Sequence, residues 1–248
     1  MILVKSPKEI ARMRVPCRMV AEILAELSAA VIPGITTVEL NEQALAACEK
    51  RKAVAAFKGY SGFPFAICSS PNDTIVHGFA TDVPLADGDI LSIDFGVVYD
   101  GFYGDAAVTV PVGIASDDRM QLMSVTKASL FAGINKIAPG VHLSDVSHAV
   151  QSVAEDAGYS VVREFVGHGI GRALHEDPQI PNYGKPGVGP ILKPGMVLAV
   201  EPMVNAGSNQ VRVLADGWTA VTKDGSCSAH FEHSVAVTED GFEILTSL

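Results

Sequence analysis

The chain has 248 residues, 48% hydrophobic and 19% charged, which is length and apolar content enough for a substantial core. Its 18 basic residues against 28 acidic ones give a net charge of −10, which disfavours stable nucleic-acid binding. No run reaches the apolar length of a membrane span, and MILVKSPKEIARM lacks a signal peptide's apolar segment and cleavage site.

From the N-terminus, Ser6-Pro7-Lys8-Glu9 is a capping box with proline at the first helical position. Ile10, Met13, Cys17, Val20, Leu24 and Leu27 follow at helical spacing. Pro33-Gly34 ends that pattern, and Thr36 with Glu39 caps a second helix expected to reach about Lys52. The cysteines Cys17, Cys48, Cys68 and Cys227 are far apart and form no CxxC pair, so reduced thiols in a cytoplasmic protein are expected. After the loop Cys68–Asp73 comes VHGFA, in which Gly78 follows His77.

Residues 92–110, SIDFGVVYDGFYGDAAVTV, read as a hairpin around Asp100-Gly101, a pair that suits the two positive φ angles of a type I′ loop. That register pairs Tyr99 with Phe102 and sets Asp94 opposite Ala107, two residues from Asp105 on the same strand. Side chains alternate along a strand, so Asp94 and Asp105 are expected on one face as diagonal neighbours. On an apolar sheet such a pair needs a proton or a cation between its members. On an exposed hairpin the two would simply be solvated.

The second half of the chain echoes the first. IPGITTVE (32–39) resembles APGVHLSD (138–145), and DGDILSID (87–94) matches PGMVLAVE (194–201), at offsets of 106 and 107. Met120, Met123, Leu130, Ile134 and Ile137 suggest the counterpart of the first helix; another runs to about Ala157 and stops at Gly158. Each DGDILSID-type segment reads as a buried strand ending in an acid, which makes Glu201 the twin of Asp94. A pseudo-twofold arrangement of repeats at about 7–110 and 117–240 would bring these strand ends together within one domain spanning 1–248. Two helices plus strands, repeated, imply an α+β fold with a curved, mostly antiparallel sheet backed by helices.

Near the C-terminus SAHFEHSVAV (228–237) reads as a further strand with Glu232 embedded in it. FVGHGIGRALHEDP (165–178) places His168 between two glycines, which let backbone approach a site closely, and His175 seven residues on. Asp94, Asp105, His168, Glu201 and Glu232 thus make four carboxylates and one imidazole. Their charge of −4 balances two divalent ions, and oxygen-rich ligation leans toward Mn(II), Fe(II) or Co(II).

The ordered set of these five residues resembles the metal-binding set of type I methionine aminopeptidases. The flanks match too: GDILSIDFG, DGFYGDAAVTVPVG, VGHGIGRALHEDPQIPNYG, LKPGMVLAVEPM and ADGWTAVTKDGSCSAHFEHSVAVTEDG, so the likeness runs from about Lys8 to the end. It implies the pita-bread fold and a pair of divalent ions (Co, Mn, Fe or Zn), with Asp105 and Glu232 bridging, Asp94 on one ion, and His168 and Glu201 on the other. Only 30 residues separate Glu201 from Glu232, and no zinc-binding extension precedes Lys5, so the short bacterial form is expected.

The implied reaction removes the initiator methionine from nascent proteins when the second residue is small. By the same likeness Glu201 moves a proton while acting as a ligand, His175 bonds the scissile carbonyl, and His77 assists the leaving nitrogen. A methionine slot maps to Tyr60, Phe63, Cys68, Leu174 and Trp218, with Phe57 near its mouth; for each aromatic there the alternative is ordinary core. A monovalent cation, held through backbone carbonyls, maps to Asn72, Thr74 and Ser228. A monomer with transient ribosome contact and no membrane association is expected.

Four positions depart from the family's usual residues: His230 for glutamine, Phe57 for cysteine, Leu174 for phenylalanine and Tyr103 for histidine. The rivals are a proline-specific aminopeptidase on the same fold and a non-catalytic binding protein. The first usually carries a large N-terminal domain, and the second typically loses metal ligands.

Overall fold

The computed structural model describes residues Met1–Leu248. Helix α1 (Pro7–Ala30) begins at the Ser6 capping box, where Ser6 N donates to Glu9 at 2.8 Å and Ser6 Oγ accepts from Glu9 N. Helix α2 (Thr37–Lys50) repeats the device with Thr36 and Glu39. It stops two residues short of the expected Lys52, because Lys52 turns to a left-handed φ of 55°. Helices α3 (Asp117–Ile134) and α4 (Leu143–Asp156) complete the helical layer, and Gly158 takes φ 87° just past the second.

The hairpin Ile90–Tyr99/Phe102–Pro111 forms in the expected register, with Asp94 opposite Ala107 and Tyr99 opposite Phe102. Asp100 and Gly101 have φ of 51° and 74°, as a type I′ loop requires. From this hairpin the central sheet extends through Glu232–Val237, Val197–Val200, Gly167–Gly169 and Glu176–Ile180. Val54–Ala55 and Ile67–Pro71 pair with Ile90–Tyr99, and Phe242–Ile244 pairs with Glu232–Val237. Every pairing in the sheet is antiparallel.

Two strand expectations need correction. Asp94 lies inside its strand rather than at its end, because the apolar run continues through Phe95–Tyr99. Residues 228–237 are two strands. Ser228–His230 joins a small sheet with Met203–Asn205 and Ser160–Val161, and Glu232–Val237 joins the central sheet. The chain changes sheets at Phe231, so Glu232 opens a strand instead of sitting within one.

Strand alternation sorts the two faces. Leu91, Ile93, Phe95 and Val97 point into an apolar cluster with Val20, Ile23 and Leu27 of α1 and Leu40 of α2. Leu198, Val200 and Val235 do the same with Leu130 and Ile134 of α3 and Val146 of α4. Burying each such side chain contributes roughly 1.5–3 kcal/mol. Asp94, of opposite parity, faces away from the helices. Helix α1 lies so close to the hairpin that a Cβ on Gly104 would stand 2.7 Å from the Cys17 backbone nitrogen. No helix is long and apolar enough to cross a membrane.

Candidate metal centre and substrate pocket

Register across the sheet builds the site. Cys68 pairs with Asp94, Asp94 with Ala107, and Ala107 on its other side with Glu232. Asp105, two residues along from Ala107 on the same face, is therefore a diagonal neighbour of both Asp94 and Glu232. His168 pairs with Ala199, and Glu201 follows directly after the strand Val197–Val200. Asn182 Nδ2 donates to the Glu201 carbonyl at 3.0 Å and holds that residue's backbone.

All five expected ligands converge. His168 Nε2 lies 3.4 Å from Glu201 Oε1 and 3.9 Å from Asp105 Oδ2. Ligand atoms of Asp105, His168 and Glu232 fall within 4.8 Å of one another, and so do those of Glu201, His230 and Glu232. Asp94 falls outside both trios but lines the same pocket. Asp94 Oδ1, Asp105 Oδ1 and Glu232 Oε1 are buried without a hydrogen-bond partner, and no lysine or arginine ion-pairs with any of the four acids.

Without a cation, burial favours the protonated forms of these carboxylates. Burial pushes Asp94 up to about 7. Burial, reinforced by neighbouring acids, lifts Asp105, Glu201 and Glu232 well above the carboxylate range. Burial also depresses His168 to about 3, so its ring is neutral, as a metal ligand must be. Its Nδ1 meets the Gly169 carbonyl at 3.0 Å, which leaves Nε2 facing the acids.

The glycines flanking His168 act differently from expectation. A Cβ at Gly167 would stand 2.3 Å from the Ala199 carbonyl oxygen, and one at Gly169 would stand 2.1 Å from that of Asp177. They admit neighbouring backbone, not a ligand.

Beside the acids is a cavity of about 150 Å³, a size that elsewhere accepts a single benzene and so suits one side chain. Phe57, Tyr60, Phe63, Cys68, Leu174, Trp218, His77 and His175 all line it. Phe63 meets Trp218 edge-on at 5.2 Å. His77, at a left-handed φ of 58°, stacks edge-on against Trp218 and Phe165, and burial lowers its pKa to about 4. Tyr60 Oη lies 2.7 Å from His175 Nδ1, and the His168 and His175 rings are 4.4 Å apart. Elsewhere Ser228 N donates to the Asn72 carbonyl at 2.8 Å, and the strand Thr74–Val76 lies against Ser228–His230.

Some contributors were missed. Val76 lines the pocket, and Asn182 holds Glu201; of these, only the PNYG run around Asn182 offered a signal. The larger omission is a buried ion pair, Lys5 Nζ to Glu176 Oε2 at 2.5 Å. Glu176 Oε1 also accepts from the amides of Arg172 (2.7 Å) and Ala173 (3.2 Å), and so fixes the loop that carries Leu174 and His175.

Fold and site together define a metal-dependent hydrolase: the model of metallopeptidase family M24 matches residues 11–239, and the chain belongs to that family. As a member it binds divalent metal. Within the family it falls among the type I bacterial methionine aminopeptidases. It is 53% identical to methionine aminopeptidase 1 of Bacillus subtilis, over 99% of both chains. The crystal structure of methionine aminopeptidase from Thermotoga maritima superposes with a TM-score of 0.98 at 48% identity, over all of both chains. A Xaa-Pro dipeptidase from Bacillus anthracis, 22% identical with a TM-score of 0.78 over 99% of this chain and 62% of its own, shares the pita-bread fold.

Proposed function

We propose that the chain removes N-terminal methionine from nascent polypeptides whose second residue is small, using two divalent ions held by Asp94, Asp105, His168, Glu201 and Glu232. The observation that carries the reading is a set of three buried acids with unpartnered oxygens, Asp94, Asp105 and Glu232, joined by Glu201 with no protein cation, gathered beside an aromatic-lined cavity. Buried carboxylates without a counter-charge are costly, and divalent cations supply that charge. Oxygen donors with one imidazole suit Mn(II), Fe(II), Co(II) or Zn(II). When bound, the ions act as Lewis acids that polarise the scissile carbonyl and acidify water.

The protein's own groups do the rest. The apolar slot of Phe63, Cys68, Leu174 and Trp218 takes the methionine side chain, whose sulfur makes soft contacts with aromatic edges. Burial keeps His175 neutral, and in the tautomer that accepts from Tyr60 Oη at Nδ1 its proton sits on Nε2. That N–H is the donor for the carbonyl oxygen as charge develops there. His77, also neutral, contacts the scissile amide, and Glu201 carries a proton from the attacking water to the leaving nitrogen.

We further read residues 7–110 and 117–240 as pseudo-repeats of one catalytic unit, each contributing a helix pair and strands to the site. Action on nascent chains implies a cytosolic monomer in brief ribosome contact. A monovalent cation at the carbonyls of Asn72, Thr74 and Ser228 belongs to the same reading. The test is release of the first residue from Met-Ala-Ser, Leu-Ala-Ser, Met-Leu-Ser and an X-Pro peptide, on metal-stripped protein titrated with Mn(II) or Co(II). Metal-dependent cleavage of Met-Ala-Ser alone is expected. Cleavage of the X-Pro peptide, or of nothing, would overturn the proposal.

A further inference from the structure

His230 stands at the same cluster of acids without a role. Its side chain is 1% exposed, and its Nε2 is buried with no hydrogen-bond partner. That atom lies 3.6 Å from Glu201 Oε2, beyond a normal hydrogen bond, and a ring nitrogen of His230 falls within 4.8 Å of a Glu232 oxygen. His168 approaches the other oxygen of the same Glu201 carboxylate at 3.4 Å, so two imidazole Nε2 atoms flank one carboxylate.

The ring is presented from a fixed backbone. The strand Ser228–His230 pairs His230 with Met203, and Thr109 Oγ1 both accepts from His230 N and donates to its carbonyl, each at 2.8 Å. Ser92 Oγ, 2.8 Å from Thr109 Oγ1, extends that support to the hairpin. An imidazole nitrogen aimed from a rigid strand into a set of acid oxygens, and bonded to nothing, has the environment of a ligand.

We propose that His230 is a sixth protein donor to the metal centre, coordinating through Nε2 on the side of Glu201 and Glu232. The inference rests on the metal-centre reading above. It gives the centre two imidazoles instead of one, which tilts its preference from Mn(II) toward Fe(II), Co(II) and Zn(II).

Proton NMR of the Co(II)-loaded protein tests it directly, because a histidine bound to Co(II) shows its remaining ring N–H as an exchangeable, strongly shifted resonance. Two such resonances are expected. His230→Gln should remove one and weaken Co(II) binding, measured by calorimetry, at least about tenfold, the lower end of what even outer-shell partners contribute. Circular dichroism on the variant establishes that it folds. A single resonance in the parent protein overturns the inference whatever the affinity of the variant, because a histidine that only steadies Glu201 carries no unpaired spin density. No shifted resonance at all would remove the metal-centre reading and this inference with it, so the two failures are told apart.

Discussion

Binding of Mn(II) or Co(II) to the metal-free protein should expel protons, and the number follows from the site. Burial holds Asp94 near 7, so at neutral pH it carries about half a proton. Burial and neighbouring acids also raise Asp105, Glu201 and Glu232 well above the ordinary carboxylate range. His168, held near 3, is already neutral and releases none. Only ionised carboxylates bind metal, so loading at pH 7 should release more than the half proton of Asp94 alone, shared among acids that titrate as a set. The sign is fixed: the raised pKa values make affinity climb with pH through neutrality and fall as pH drops. The slope near pH 7 is the proton count, so affinity should change by more than about half a decade per pH unit. Calorimetric titration at pH 7 in two buffers of different ionisation enthalpy reads the count. Identical enthalpies in both buffers would mean that the empty site is already ionised, and the burial argument would fail.

Four substitutions probe other parts of the structure. Asp105→Asn removes one of the crowded acids, so the metal-free protein should gain about 1–3 kcal/mol while losing bound metal; a lower denaturant midpoint than the parent's would contradict this. His175→Ala should leave metal content intact and lower kcat about 10²–10³-fold, as loss of a transition-state donor does; an unchanged kcat removes its role. Lys5→Met leaves Glu176 buried without its counter-charge and should cost about 3 kcal/mol, largely restored by adding Glu176→Gln. Thermal melts of the single and double variants decide this, and a double variant no better than the single would refute it. Gly104→Ala should cost about 2–4 kcal/mol, because its Cβ would meet the Cys17 nitrogen and Cα at 2.7 and 2.8 Å, backbone atoms that move only with α1. A wild-type melting curve would show that the helix can shift freely.

What could be read ahead of the structure was local. Ser6 and Thr36 announced their helices because a cap acts over three residues, and Asp100-Gly101 set the register that put Asp94 opposite Ala107. Once that parity was known, two acids on one face asked for a cation. What escaped depended on partners distant in the chain. Nothing near Lys5 shows that it meets Glu176, 171 residues away, and nothing in SAHFEHSVAV marks Phe231 as the point where the chain changes sheets. Even a correct signal could carry the wrong reason: the glycines around His168 make room for Ala199 and Asp177.

The junction between the strands Phe102–Pro111 and Glu232–Val237 joins hairpin and C-terminal strand by only two paired positions, Ala106 with His233 and Ala107 with Glu232. Ser234 Oγ adds two stitches, donating to the Asp105 carbonyl at 2.7 Å and accepting from the Asp105 amide at 3.3 Å. Asp105 and Glu232 stand on either side of this short seam, so ions gripped by both would clamp together segments more than a hundred residues apart in the chain. The centre is then a fastener as well as a reagent. Stripping it should loosen the amides of Asp105 and Ser234 in hydrogen exchange before it disturbs the long hairpin, tying the closure of the fold to the supply of its metal.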